Sequence, residues 1–358
     1  MELDDIRKRI NTIDFEILKL LNSRMEFALR TKKFKKSITD LKRENEVIEY
    51  IRKHSQGLIE PDFCKELFIQ IIEESKRLQS ENRRLIGFEG EHGSFSEVAA
   101  RQFDPNLVYI SCSKFREIFE GVETDLLHEG IVPVESTLGG AVTDVNEYLV
   151  DTELKITGEV VIPIHYCLVT LPETRLNDIR VVYSHRLALS HCQDFIEKNG
   201  FEGRPFYDTA ASAKMLLQER PKASAAIVSE FAAGYYNLKV LDREIEDHPN
   251  NMTRFVVLSK EEKDGGDKCS IIFVTRHKVG ALLGVLNEFG NAGINLTRIE
   301  SMPNRHDPGN YYFFLDFHGS KEDPILQGVL SRVKEKAIDY RFLGCYPRAN
   351  GNNKSEQE

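Results

Sequence analysis

No stretch of the 358-residue chain approaches the roughly 20 consecutive apolar residues of a membrane-spanning helix. The opening residues are acidic and amphipathic, which reads against a secretory leader. Six cysteines are scattered at Cys64, Cys112, Cys167, Cys192, Cys269 and Cys345, with no C-x-x-C pair. That spacing suggests neither a zinc site nor a disulfide framework, so no metal is expected, and reduced thiols in a cytoplasm are the simplest reading. Proline and glycine are missing from residues 3–35, so nothing interrupts a long first helix. What remains is an ordinary balance for a folded chain of two or three domains, 41% hydrophobic and 29% charged. The net charge of −9 is unevenly spread: residues 1–84 carry 19 Lys and Arg against 16 Asp and Glu, the remainder 29 against 41. The basic end reads either as a solvated helix surface or as a module for an anionic ligand.

The first 84 residues read as all-helical. Leu3, Ile6, Ile10, Ile13, Ile17 and Leu20 recur in steps of three and four, a narrow seam that packs helix on helix. A helix over 3–35 is too long to bury that seam within three helices, which predicts a partner chain. Ser37, Thr39 and Asp40 are cap candidates for a second helix ending near Gly57, and Pro61 suits the start of a third running to about Arg83. From Leu85 short strands alternate with helices: residues 85–89, 108–111, 130–134, 181–184, 225–228 and 255–258. This predicts an open α/β sheet in two halves, with a crossover near 159–171 and a ligand cleft between the halves. Residues 261–268 read as a linker. Beyond them a βαββαβ order predicts a ferredoxin-like unit, and 348–358 read as a disordered tail. No long-period repeat is evident.

Continuing the seam of the first helix past Leu20 reaches Arg24 and then Phe27. An arginine in an apolar stripe is either bridged to a carboxylate at the helix end or awaits an anionic ligand. Arg7 lies more than four turns away on the same helix, so one site could use both only across two antiparallel chains. Lys35, Asp40, Arg43, Glu44, Ser75 and Gln79 add polar groups beside the apolar faces of all three helices.

These eight residues, in identity and spacing, resemble the all-helical chorismate mutases over essentially all of residues 1–84. The resemblance implies a site for a flexible dianion that rearranges by a pericyclic step without covalent chemistry or a cofactor. Arg7 (from a partner chain) and Arg24 would take the carboxylates, Lys35 and Gln79 the ether oxygen, and Glu44, helped by Asp40, the ring hydroxyl. Arg43 and Ser75 would complete the shell. Lys32 and Lys33 depart from the usual pattern and are expected on the solvent face.

The stretch Gly87–Ala100 places a glycine-rich turn between a strand and a helix, a weak anion-site signal on its own. It is followed in order by Val132–Gly140 with Glu135-Ser136, by Tyr183-Ser184-His185, by Asp208-Thr209-Ala210-Ala211-Ser212, and by Asn251-Met252-Thr253-Arg254-Phe255. Together these resemble prephenate dehydratase, and its relative arogenate dehydratase, across residues 85–260. The implied fold is two-lobed and like the periplasmic binding proteins. Thr253 is implied as the acid or proton relay. Arg254 would polarise that relay, and Ser94, Ser96, Ser184, Thr209 and the amides after Gly93 would bind carboxylates. Glu135, Ser136 and His191 are further substrate-binding candidates. Ser136, Arg186-Leu187 and His191 depart from the family's residues and leave prephenate or arogenate open as substrate. His185 and His191 also fit as structural histidines.

Residues 261–347 resemble the ACT domain that follows such dehydratases. Gly280, Ala281 and Leu282 at a helix start, Asn295 and Leu296, and Glu300 and Ser301 are implied as an amino-acid site, with Met302 a departure. The resemblances imply chorismate and prephenate as substrates, phenylalanine as allosteric inhibitor, and a homodimer or dimer of dimers, with no nucleic acid, membrane or cofactor. Two rival readings stand beside this one. A ligand-responsive DNA-binding regulator is opposed by the lack of a short helix-turn-helix. A degraded dehydratase serving the mutase is opposed by Thr253-Arg254-Phe255 and mildly favoured by Ser136 and His191.

Overall fold

The computed structural model describes residues 3–35, 37–55, 57–305 and 307–349. The expected tail therefore lies outside the described residues beyond Ala349. Two compact units form, Met1–Leu85 and Ile86–Glu358.

The first unit is α1 (Leu3–Thr31), α2 (Leu41–His54) and α3 (Pro61–Ser80). α1 stops short of the expected Lys35: Lys32–Phe34 form one 3₁₀ turn and Lys35 is extended at φ −103 and ψ 138. Lys32, Lys33 and Lys35 crowd like charges into one turn, which disfavours further α-helix. Asp40 caps α2 by accepting from the Arg43 N–H at 3.0 Å. α2 and α3 end three residues before the expected Gly57 and Arg83. Few residues are buried here, Leu29, Ile71 and Ile72 among them, while Ile6, Ile10, Ile13 and Ile17 on α1 are 39–55% exposed.

The second unit begins with β1 (Leu85–Glu89), α4 (Phe95–Phe103), β2 (Val108–Cys112), α5 (Phe115–Glu123), β3 (Glu129–Ser136), β4 (Gly140–Ala141), α6 (Thr143–Asp151) and β5 (Lys155–Pro163). The chain then crosses to β6 (Cys167–Thr170), β7 (Val181–His185), α7 (Arg186–His191), α8 (Gln193–Asn199), β8 (Glu202–Phe206), α9 (Thr209–Glu219), β9 (Ser224–Val228), α10 (Glu230–Tyr235) and β10 (Lys239–Arg243). It returns as β11 (Met252–Ser259). One lobe is the sheet β2-β1-β3-β11-β5 with β4 beside β3, and the other is β10-β6-β9-β7-β8. The two crossings run side by side: Ile164 N–H donates to Asn251 O at 2.8 Å, and Ile245 N–H to Tyr166 O at 3.1 Å.

All six expected strands are present. The strands β4, β5, β6, β8 and β10 were not expected. β8 reads Glu-Gly-Arg-Pro-Phe and lies at a sheet edge, where Pro205 is tolerated and no apolar alternation is needed. β5 and β6 are buried on nearly every residue, so they lack the period of two that marks a half-buried strand.

The remaining elements are β12 (Lys268–Val274), α11 (Ala281–Asn291), β13 (Leu296–Pro303), β14 (Tyr311–His318), α12 (Pro324–Lys336) and β15 (Asp339–Tyr346). Their sheet order, β13-β14-β12-β15, is the ferredoxin-like one. β15 packs against β5 so closely that a Cβ at Gly344 (φ +153) would meet Ile156 O at 2.2 Å.

Candidate active sites

In the helical unit, Arg24, Lys35, Asp40, Arg43, Glu44, Ser75 and Gln79 line one cavity of about 380 Å³ together with Phe27, Ala28, Thr31, Ile38, Val47, Ile72 and Lys76. Arg24 donates to Ser75 Oγ at 2.6 Å, and Ser75 Oγ donates to Ile71 O at 2.8 Å. Burial lowers the Arg24 guanidinium from its ordinary value without threatening its charge. Gln79 is 2% exposed. Its Nε2 donates to Ala28 O and, at 3.2 Å, to Thr31 Oγ1, while its buried Oε1 has no partner. Glu44 is held at both ends: Oε1 accepts from the Asp40 N–H at 3.3 Å and Oε2 from Lys76 Nζ at 3.2 Å.

Lys76 is a cavity cation that sequence reasoning missed. It follows Ser75 directly, and its 2.6 Å bridge to Glu73 makes it look like a surface residue. Lys33 is exposed as expected, but Lys32 is half-buried and donates to Asn82 Oδ1. Arg7 does not line the cavity. It lies seventeen residues before Arg24, roughly 25 Å along a helix.

In the two-lobed unit several expected site residues lie beside the crossings. Thr253 is the second residue of β11, opposite Ser136 on β3 and Ile162 on β5. Ser136 Oγ donates to Asn251 Oδ1 at 3.2 Å, and Asn251 is 1% exposed. Asn251 stands two residues before Thr253, a spacing that puts side chains on one face of an extended chain, and this signal could have found it. At the adjacent crossing the Tyr166 hydroxyl lies 3.4 Å from His191 Nδ1, with Phe95 edge-on to Tyr166 at 5.5 Å between centroids. Burial raises the Tyr166 phenol and lowers His191, so the pair stays neutral. Ser96 is buried beside Phe95, and Thr209 is the first residue of α9.

Several expected substrate contacts are otherwise engaged. Ser94 caps α4 by accepting from the Glu97 N–H at 3.3 Å. The Gly93 N–H donates to Glu97 Oε2 at 2.9 Å, and the Ser94 N–H to Glu91 O at 3.1 Å. The glycine turn thus carries its own anion. Burial pushes the Glu97 carboxyl up, but His92, the Gly93 amide and Arg101 together hold it below its ordinary value. The turn instead clasps the second lobe: Ser229 Oγ donates to Gly93 O at 2.8 Å and Lys214 Nζ to Glu91 at 2.9 Å. A Cβ at Gly93 (φ +97) would lie 3.0 Å from Ala232. Ser184 is fully buried and donates to Ile227 O at 2.6 Å, which ties β7 to β9. His185 accepts from the Leu187 N–H at 3.3 Å as the cap of α7.

Arg254 and Glu135 also leave the cleft. Neighbours on a strand point to opposite faces. Phe255 and Val257, on the face of Thr253, join the core shared by the lobes. Arg254 turns the other way, to Glu135 at 2.5 Å, Glu159 at 3.0 Å and Asp316 on β14.

On the ferredoxin-like sheet, Gly280 caps α11 with φ +79, and a Cβ there meets nothing within 4 Å. Val274, which ends β12, pairs with Tyr312, and Tyr312 pairs with Met302. Gly280, Ala281 and Leu282 follow that end of β12, so they share an end of the sheet with Glu300 and Ser301. Asn295 and Leu296 lie at the other end, where Asn295 O accepts from the His318 N–H at 2.9 Å. One chain therefore does not gather all seven residues, because β13 separates the groups by roughly 20 Å.

Comparison with known proteins defines the class first. The family described as Chorismate mutase type II matches residues 6–80, and Prephenate dehydratase matches residues 86–263. The bifunctional chorismate mutase/prephenate dehydratase of Aquifex aeolicus is 35% identical over 97% of this chain and 98% of its own. The chain belongs to the bifunctional chorismate mutase/prephenate dehydratase family and is an enzyme with both units. Among solved structures, prephenate dehydratase from Arthrobacter aurescens in complex with L-Phe is 31% identical, with TM-score 0.68 over 74% of this chain and 90% of that one. A protein described as a quorum-quenching acylase, GqqA, is 28% identical, with TM-score 0.70 over 75% of this chain and 99% of that one.

Proposed function

We propose that the chain converts chorismate to prephenate in residues 1–84 and prephenate to phenylpyruvate in residues 85–260, and that residues 261–347 form an ACT domain through which phenylalanine inhibits the second step. The observation that carries the first activity is the helical cavity, where four cations and two carboxylates converge with a buried amide. Arg24 and the partner subunit's Arg7 clamp the two carboxylates of chorismate. Lys35 and Gln79 meet the ether oxygen, where negative charge grows as the bond breaks. The unpartnered Oε1 of Gln79 marks an amide whose bonding is incomplete without ligand. Glu44, fixed by Asp40 and Lys76, accepts from the ring hydroxyl. The exposed isoleucine seam of α1 supports a homodimer that buries it.

Dehydration expels the ring carboxylate as carbon dioxide and the ring hydroxyl as water, and aromatisation drives it. The hydroxyl leaves as water only with a proton. Thr253 relays that proton at the cleft, backed by Ser136 and Asn251. A threonine is a weak acid and acts as one link of a hydrogen-bonded chain; the neutral Tyr166–His191 pair at the adjacent crossing is a further donor and acceptor. Prephenate is favoured over arogenate as substrate by the mutase unit on the same chain, whose product it is.

The two groups of the amino-acid site lie at opposite ends of β13, so a second copy, antiparallel, would complete each site. The test is direct. Purified protein supplied with chorismate alone should form phenylpyruvate, and Arg24→Ala should stop that while phenylpyruvate still forms from supplied prephenate. Accumulation of prephenate by the wild type would show a mutase with an inactive second unit.

A further inference from the structure

Arg254 sits in a cluster of six charges drawn equally from two sheets, five of them buried and the sixth, Glu135, partly exposed. From the first lobe come Arg254 on β11, Glu135 on β3 and Glu159 on β5. From the ferredoxin-like sheet come Lys268 on β12, Arg298 on β13 and Asp316 on β14. Arg254 and Asp316 are 6% and 3% exposed. Lys268 Nζ reaches Glu159 Oε2 at 2.7 Å, Arg298 Nε lies 3.5 Å from Glu135 Oε2, and Arg298 also donates to Asn146 Oδ1 at 3.1 Å. Burial opposes charge on both central groups. The surrounding carboxylates nevertheless hold Arg254 above its ordinary value, and Arg254 and Arg298 hold Asp316 below its own.

The charge count matters. The lobe's three groups sum to −1 and those of the other sheet to +1, so neither half is neutral alone. Buried charges are tolerated only when paired. The guanidinium binds all three carboxylates, one nitrogen to each, and so ties β3, β11 and β5 to β14 at the residue next to Thr253.

We infer that Asp316, with Lys268 and Arg298, positions Thr253: the ferredoxin-like sheet fixes Arg254, and Arg254 fixes the strand end that presents the threonine hydroxyl to the cleft. These residues touch no substrate and act through β11. The inference rests on Thr253 as the proton relay. Small displacements of a reacting group cost rate more than binding, so the signature is a fall in kcat with KM nearly unchanged.

The experiment compares prephenate dehydration by full-length Asp316→Asn, Arg254→Lys, Thr253→Ala and the double variant Lys268→Met/Glu159→Gln, with melting temperature as the check on folding. Asp316→Asn keeps shape and loses charge; its kcat should fall at least ~10-fold with KM within about 3-fold. Arg254→Lys keeps the charge but not the three-way fork, and should not restore wild-type kcat. The double variant removes one charge of each sign, and its kcat should fall with KM held. A folded Asp316→Asn with wild-type kcat overturns the inference. Should that variant fail to fold, wild-type kcat in the double variant overturns it equally. Wild-type kcat in Thr253→Ala would instead refute the relay role on which the inference stands.

Discussion

The seam of α1 offers the sharpest test of how the mutase site is completed. Ile10 and Ile13 are 50% and 55% exposed in a single chain. Fully burying an isoleucine is worth about 1.5–3 kcal/mol, so covering the exposed half of each contributes about 1 kcal/mol. In a two-fold interface every substitution counts twice. Ile10→Gln/Ile13→Gln should therefore weaken association by about 4 kcal/mol, or about 1000-fold in Kd. Glutamine is as good a helix former as lysine or glutamate, so α1 itself should persist. Sedimentation across a concentration series, with both activities measured on the same samples, decides the matter. The expected result is a monomer–dimer equilibrium moved to higher concentration, with chorismate consumption following the dimer fraction, as a site completed by the other copy's Arg7 requires. An undiminished dimer with normal mutase rate would refute the reasoning, since it would place the interface elsewhere and Arg7 outside the site.

Other outcomes follow from single residues. Arg24→Ala should nearly abolish chorismate consumption, and co-refolded Arg7→Ala and Arg24→Ala chains should regain part of it; absence of complementation would exclude a shared site. Thr253→Ala should lower dehydratase kcat by about 100-fold without unfolding the strand, measured as phenylpyruvate formation at saturating prephenate. Gly280→Val adds a branched side chain at φ +79 where nothing lies within 4 Å, so it should cost about 1–2 kcal/mol locally and remove phenylalanine binding by calorimetry while dehydration persists. Glu89 is pushed up to about 7 by burial and then by the neighbouring Asp208. A carboxyl raised in the folded state favours folding in its protonated form, and that advantage is lost as pH climbs from its unfolded value near 4.5 through about 7. Glu89→Gln should accordingly melt near the wild type at pH 5 and higher than it at pH 8.5, by up to about 3 kcal/mol in stability; an equal difference at both pH values would contradict this.

How much was legible in the sequence depended on whether chemistry and local pattern coincided. The helical cavity was legible because its residues fall one turn apart on amphipathic helices, where i, i+4 spacing fixes a shared face: Asp40 with Glu44, Ser75 with Gln79. The strand order of the two lobes was not, because β5 and β6 are mostly buried and show no alternation, and because β8 is an exposed edge strand with proline. The position of Asn295 relative to Gly280 depends on the direction of β13 in its sheet, which pairing decides and composition does not.

The pair Thr253-Arg254 shows the limit most plainly. Adjacent in sequence and both polar, they read as one catalytic motif. On a strand, adjacency means opposition: if Thr253 faces the cleft, Arg254 must face whatever covers the sheet behind it. That layer is the ferredoxin-like sheet, whose Asp316 lies sixty-two residues further along the chain. The same geometry reassigns Glu135, opposite Arg254 in the β3–β11 register, whereas Ser136, opposite Thr253, stays on the threonine's face. A reader with only the sequence could have applied the period-two rule to each motif in turn. Two of the three nitrogen partners of Arg254 were still beyond reach, since Glu159 and Asp316 sit on strands that no local pattern pairs with β11.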